Sequence, residues 1–173
     1  QTPAAMGSEL AIQDIVDAVN YAKKNANVDA SRVYVTRASG GGMGWLLAVS
    51  HHPEIWAGVA ASVPVVDILD WYKNNAKFPS RKYRKQIVAA AGGDPTKSEK
   101  AAEETQKRSP ITHLNQNINV PIYIAHGIKD ILVPPDHALR AFNLLADEGD
   151  RFTEEQINYI LKNQAVPPGL KSS

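Results

Sequence analysis

One stretch, Arg32-Val-Tyr-Val-Thr-Arg-Ala-Ser-Gly-Gly-Gly-Met-Gly44, limits the fold of this chain more than any other. An extended apolar run turns there through a lone serine and glycines straight into a second apolar run. Val33, Tyr34 and Val35 are β-branched or aromatic and predict a buried strand over 32–36, while Trp45, Leu46, Leu47, Ala48 and Val49 predict a buried helix over 41–51. A strand feeding a helix through so short a turn belongs to an α/β architecture. A serine at such a turn has its Oγ pushed clear of the backbone, and the amide N–H of Gly40 lies beside it at the helix start, where an oxyanion would be stabilised. The layout is that of a nucleophile elbow centred on Ser39.

The consensus for that elbow is G-x-S-x-G, and this chain reads Arg37-Ala38-Ser39-Gly40-Gly41. The position two before the serine is usually small because strand and helix approach closely, so an arginine there must lean outward or force the turn open. A plainer reading makes Ser39 a helix cap, since serine is a preferred N-cap and glycine suits tight turns. Two other glycine-loop chemistries are removed by the residues that follow. A phosphate loop needs Lys and then Ser or Thr, where this chain has Met43-Gly44-Trp45, and Trp45 occupies the last glycine of a dinucleotide fingerprint.

Elements alternate around this unit. Ser8 predicts an N-cap, and Ile12, Ile15, Val16, Val19 and Ala22 recur at helical spacing, giving an amphipathic helix over 9–25. His52-Pro53 stops the helix after the elbow, and 57–64 reads as a second buried strand. Helix, strand, helix, strand argues for a parallel sheet. Residues 68–116 differ in character, with Trp71, Tyr72, Phe78 and Tyr83 in a polar, basic setting, and predict an inserted helical region that would serve as a lid. Val120 to Ala125 restores a buried strand, and His126-Gly-Ile-Lys-Asp130 leaves it on the side where open parallel sheets keep their ligands. Helices follow over 136–146 and, capped by Thr153, over 154–163, the latter ended by Pro167-Pro168-Gly169.

The chain has the length of one domain, 173 residues, and its 43% hydrophobic and 21% charged content is that of a globular protein. A net charge of +1 provides no long-range attraction to nucleic acid or an anionic membrane, and the basic cluster Arg81-Lys-Tyr-Arg-Lys85 reads as a solvated helix face. With no cysteine, thiolate zinc sites, disulfides and a cysteine nucleophile are excluded. No histidine pair has the spacing of a helical zinc site, and no carboxylate run follows a calcium loop, so neither metal nor cofactor is expected. No run reaches the length of a membrane span, Gln1 is not followed by a signal-peptide pattern, and localisation is left open.

From about Gly7 to Leu170 the chain resembles the central part of an α/β-hydrolase of the prolyl-oligopeptidase-like group, which includes serine peptidases and esterases. The segments that carry the resemblance are Gly-Ser-Glu-Leu-Ala-Ile-Gln-Asp, Arg-Val-Tyr-Val-Thr-x-Ala-Ser-Gly-Gly-Gly-Met, His-Pro-Glu-Ile-Trp-Ala-Gly and Ala-His-Gly-Ile-Lys-Asp-x-x-Val-Pro. It implies one partial α/β-hydrolase-like domain over 1–173, without the outer N-terminal strands and the last strand of that fold. It places the nucleophile at Ser39 and the orienting acid at Asp130, in the chain order Ser, Asp, His expected of the fold. A carboxylate in that role fixes the tautomer of the base and stabilises its charged form. Asp67, after strand 57–64, is the fallback acid, and the bland reading of Asp130 is a loop carboxylate bonded locally.

The general base is the difficulty, because the family's histidine follows a further strand and no histidine lies beyond His137. His51 and His52 end the helix after the elbow, His113 reads as surface, His126 as structural in its turn, and His137 as orienting the loop before it. The expected function is hydrolysis of an ester or peptide acyl group by Ser39, with Gly40 N–H in the oxyanion hole, Asp130 as acid, a histidine from outside the span, and Trp71 and Tyr72 packing against the acyl group. The rival is a non-catalytic hydrolase fold that binds a ligand or partner. An exposed sheet edge before strand 32–36 would favour association with another chain.

Overall fold

The computed structural model describes residues 5–170, in which every strand and helix core expected from the sequence recurs, the helices over 9–25 and 154–163 with the expected ends and the strands with shifted ones. Helix α1 (Glu9–Asn25) starts where Ser8 accepts the amide of Ala11, a side-chain cap that satisfies one of the donors a helix leaves free at its start. Strand β1 (Tyr34–Ala38) begins later than expected because Arg32 is held in a turn, its N–H bonded to the carbonyl of Asp29. It runs on to Ala38 because that residue pairs with Ser62. Helix α2 (Gly40–His51) follows after the single residue Ser39.

Strand β2 (Gly58–Ser62) stops at Val63, which has φ 42°, and β3 (Ile122–Ala125) starts after Pro121, which has no amide to donate. Both pairings are parallel, as the alternation of elements implied, and the order is β1-β2-β3. Between β2 and β3 the chain forms α3 (Ile68–Asn74), α4 (Tyr83–Ala91) and α5 (Glu99–Lys107). After β3 come α6 (Asp136–Leu145) and α7 (Glu154–Asn163), the latter opened by a reciprocal cap between Thr153 and Gln156. Helix α7 ends at Gln164, in the left-handed conformation at φ 50°, and not at the prolines that follow.

Strand alternation divides the sheet into two unlike faces. Register places Val35 beside Val59 and Val59 beside Ile122, and this row packs against Ile12 of α1 and Leu47 of α2 in the main core. A second cluster joins Ala61 and Ile124 to Leu46 and to Ala141 of α6. The opposite face carries Tyr34 and Tyr123, 67% and 68% exposed, so among the described residues the helices cover one face only. Among the described residues β1 and β3 each pair on one side only, which leaves both edges of this sheet open.

Trp71 and Tyr72, on α3, are both core residues. The basic cluster is not a fully solvated face: Arg81 lies 3.9 Å above the ring of Phe78 and Arg84 lies 4.2 Å above that of Tyr72, cation–π contacts that half-bury both guanidinium groups.

Candidate active site

Ser39 is the one residue between β1 and α2, and the turn it makes is too sharp for ordinary backbone: its φ is 55° and its ψ −128°. A non-glycine residue in that region costs on the order of 1–3 kcal/mol, which the surrounding structure must over-determine. Here the determinants are visible. Its N–H donates to the carbonyl of Ser62 at 2.9 Å, tying it to the end of β2, and its own carbonyl accepts the first helical bond, from Met43 at 3.0 Å. The hydroxyl makes no capping bond, so the plainer role of helix cap is not the one its side chain plays. Gly40 is the first residue of α2, where a backbone amide has no intrahelical acceptor, and a Cβ built on it would meet nothing within 4 Å. Ser39 thus has a half-buried, unused hydroxyl beside an unused N–H at the positive end of a helix.

The side chain of Arg37 is exposed, as expected of an arginine at that position, and the turn beside it is the single residue Ser39. Its stem lies across Gly41: a Cβ built on that glycine would sit 2.9 Å from Arg37 Cβ and 3.0 Å from its Cγ. The space is made on the helix side, by the second glycine of the motif, and not on the strand side.

Ser39 opens into a groove of about 670 Å³, walled by Ile12 and Ile15 of α1, Met43 and Trp45 of α2, and Trp71 and Tyr83 from the inserted helices. Trp71 and Tyr83 meet with their rings tilted at 45°, 4.8 Å between centroids. Tyr72, expected beside Trp71, lies 2% exposed beneath Arg84 and does not line the groove. The sequence reading missed Trp45 and Tyr83 as walls; Trp45 sits in the helical run next to the elbow, where its spacing also fits the core.

Asp130 follows β3, which lies on the far side of β2 from β1. Among the described residues no hydrogen bond joins the Ser39 hydroxyl to the Asp130 carboxylate. One carboxylate oxygen of Asp130 accepts the amides of Leu132 and Val133 at 2.8 and 3.1 Å, and the other lies 4.0 Å from Nε2 of His126. His126 Nε2 itself pairs with the carbonyl of Val133 at 2.8 Å. Trp71 closes the loop from outside, its indole N–H donating to the carbonyl of Leu132 at 2.8 Å. Asp67 caps α3, accepting the amide of Asp70.

No histidine lines the groove. His51 stacks on His113 at 4.6 Å, and partial burial followed by the His113 and His52 charges lowers its pKa. His113 is half-buried and pairs with the carbonyl of Lys107, and His52 lies 3.6 Å from Glu54. His137, 2% exposed on α6, accepts the amides of Val66 and Asp67 on Nδ1 at 3.1 and 3.2 Å. Two N–H donors on one ring nitrogen leave the proton on Nε2, which has no partner and faces Asp70 at 3.8 Å. Burial holds the His137 pKa below its ordinary value against the pull of Asp136, Asp70 and Asp67, and burial raises that of Asp136. Among the described residues no group of three histidine or acidic side chains is arranged to hold a metal ion, and no helix is long and apolar enough to cross a membrane.

The sequence model of the prolyl oligopeptidase family matches residues 8–159. The chain belongs to the prolyl oligopeptidase family. Solved structures similar to it include a puromycin hydrolase, at 17% identity and a TM-score of 0.63 over 88% of this chain and 23% of that one. A puromycin-hydrolyzing peptidase of Mycobacterium tuberculosis matches at 18% and 0.67 over 93% of this chain and 24% of that one. The acylaminoacyl peptidase of Pyrococcus horikoshii matches at 19% and 0.63 over 88% and 24%. At these identities the likeness is one of fold, that of an α/β-hydrolase with a parallel sheet flanked by helices. This member of the prolyl oligopeptidase family spans about a quarter of the length of those structures. No curated protein matches it.

Proposed function

We propose that Ser39 is the nucleophile of a serine hydrolase acting on a peptide or ester acyl group. In this reading Oγ attacks the acyl carbon and passes its proton to an imidazole; the carbonyl oxygen, now an oxyanion, is held by the N–H of Gly40; and the leaving group departs with the proton the imidazole returns. Asp130 orients the imidazole, which no histidine lining the groove provides, and residues 68–116 act as a lid whose Trp71 packs on the substrate. Tyr72, buried away from the groove, could contribute only by supporting Trp71.

The observation that carries the reading is the backbone of Ser39, held at φ 55° with its hydroxyl uncommitted. Intact-mass analysis of the protein from its native source, before and after a fluorophosphonate probe, tests it. One adduct, lost in Ser39→Ala, is expected. No adduct would sink the hydrolase reading and favour the rival, a binding protein on a hydrolase fold. That rival draws its support from the groove's lack of a histidine and from the oxygen of Asp130 already engaged by two amides. The same rival predicts self-association through the open edge of β1, which sedimentation of the protein would reveal.

A further inference from the structure

Arg37 stands on the wrong side of its strand for a charged residue. Register pairs it with Ala61 and Ala61 with Ile124, so it shares the helix-covered face with Val35 and not the open face with Tyr34. Its stem is fixed across Gly41, and its guanidinium takes part in none of the ion pairs or hydrogen bonds among the described residues, although the side chain is exposed. It lines the groove that holds Ser39, where among the described residues it is the only charged side chain and no side-chain carboxylate is present.

A groove with apolar side chains on its walls and, among the described residues, one unpaired cation and no anion is complementary to a ligand that carries an apolar part and an anionic group. Guanidinium groups match carboxylates in planar, two-bond geometry, and such charge-assisted bonds strengthen where water is partly excluded. We infer that Arg37 is a specificity-determining residue that selects substrates bearing a carboxylate near the acyl group presented to Ser39, as in an acidic peptide or the half-ester of a dicarboxylic acid. This rests on the proposed role of Ser39 and deepens it by naming the substrate class. The competing use of an inward-pointing charge is to guard an open edge strand against pairing, which would involve no ligand.

Binding of hexanoate and of hexanamide to the full chain, followed by the fluorescence of the tryptophans in the groove wall, separates the two. The pair has the same apolar tail and differs in charge. Hexanoate is expected to bind about fivefold more tightly, with the ratio falling to about one in Arg37→Gln and inverting in Arg37→Glu, the size expected of a partly exposed ion pair. Added salt must shrink the wild-type ratio, a result that needs no variant. Equal binding, no binding of either, or a preference that survives Arg37→Gln would overturn the inference and leave the edge guard. Fluorophosphonate labelling of Ser39 is read separately. Labelling without a carboxylate preference sinks this inference alone; a preference without labelling sinks the hydrolase and retains an anion-selective groove.

Discussion

The two ends of the same sheet edge handle charge in opposite ways. Beyond β1 lies an open groove with one cation and no anion, and its unusual residue is a serine whose hydroxyl is bonded to nothing. On the other side of β2, between the starts of α3 and α6, lies a pocket of about 230 Å³ lined by Asp67, Asp70, Asp136, Arg140 and a buried histidine. There the charged groups are mostly paired: Asp136 lies 3.6 Å from Arg140, Arg140 also reaches Glu154 at 3.6 Å, and His137 fastens α6 to the residues that open α3, although its Nε2 and Oδ1 of Asp136 keep no hydrogen-bond partner. The lesson is a division of labour. Most polar groups in the second region hold helices together, whereas the Ser39 hydroxyl and the Arg37 guanidinium in the first hold nothing within the described residues.

If the division is real, variants at the two ends should differ in kind. The largest effect is expected for His137→Ala, which strips two backbone amides of their acceptor in a buried site and should cost about 3 kcal/mol in urea unfolding. His137→Asn, whose side-chain oxygen can accept in the same place, should recover part of it. Recovery by Asn but not by Leu would sharpen the claim that the acceptor, and not the ring volume, is what matters.

Next comes Gly41→Ala, where the added methyl meets Arg37 Cβ, an atom that cannot move without the strand. A loss of about 1–2 kcal/mol is expected, and a double-mutant cycle with Arg37→Gly should return a coupling of about 1 kcal/mol. Strict additivity would mean that the arginine stem does not rest on the glycine.

Acid should act on the second region. The folded His137 pKa is held below 6.5 by burial, so below that value the unfolded chain binds more protons and stability falls as pH drops toward the folded value, by up to about 1.4 kcal/mol per pH unit. Asp136, raised above 3.8 by burial, contributes with the opposite sign from 3.8 up to its folded value and blunts the slope at the acid end. Thermal melts from pH 7 downward should show the decline, and His137→Asn should flatten it. The smallest effect is expected for Arg37→Gln: an exposed side chain without a partner should change stability by less than about 0.5 kcal/mol. A larger loss would place Arg37 with the structural charges and erase the contrast.

Much of the fold could be read from the sequence because its signals are local. Ser8 and Thr153 announce the starts of α1 and α7 through their own side chains, and the run around Val35 announces β1. Strand ends were less legible, since Ala38 is strand only through its pairing with Ser62, a partner distant in the chain. Ser39 and Asp130 could be placed at the ends of β1 and β3 by motif, whereas the neighbours that decide what they can do were not legible. That Tyr72 turns into the core while Trp71 also reaches the groove depends on how α3 packs, and adjacent aromatics give no sign of it. Arg37 stood out as a departure from a consensus; that Gly41 makes room for its stem required the turn of β1 into α2 in three dimensions.

Leu132 is held at both of its backbone polar groups, its carbonyl by the indole of Trp71 and its amide by the carboxylate of Asp130. Trp71 is also a wall of the groove. Mechanically, then, the groove wall and the loop of Asp130 form one short linkage, and a molecule that displaces the indole pulls on that carboxylate through a single residue. Keeping the Asp130 loop still while ligands come and go would require a groove whose occupants fit against Trp71 without moving it, which makes the resting position of that ring a gauge of what the groove was shaped to accept.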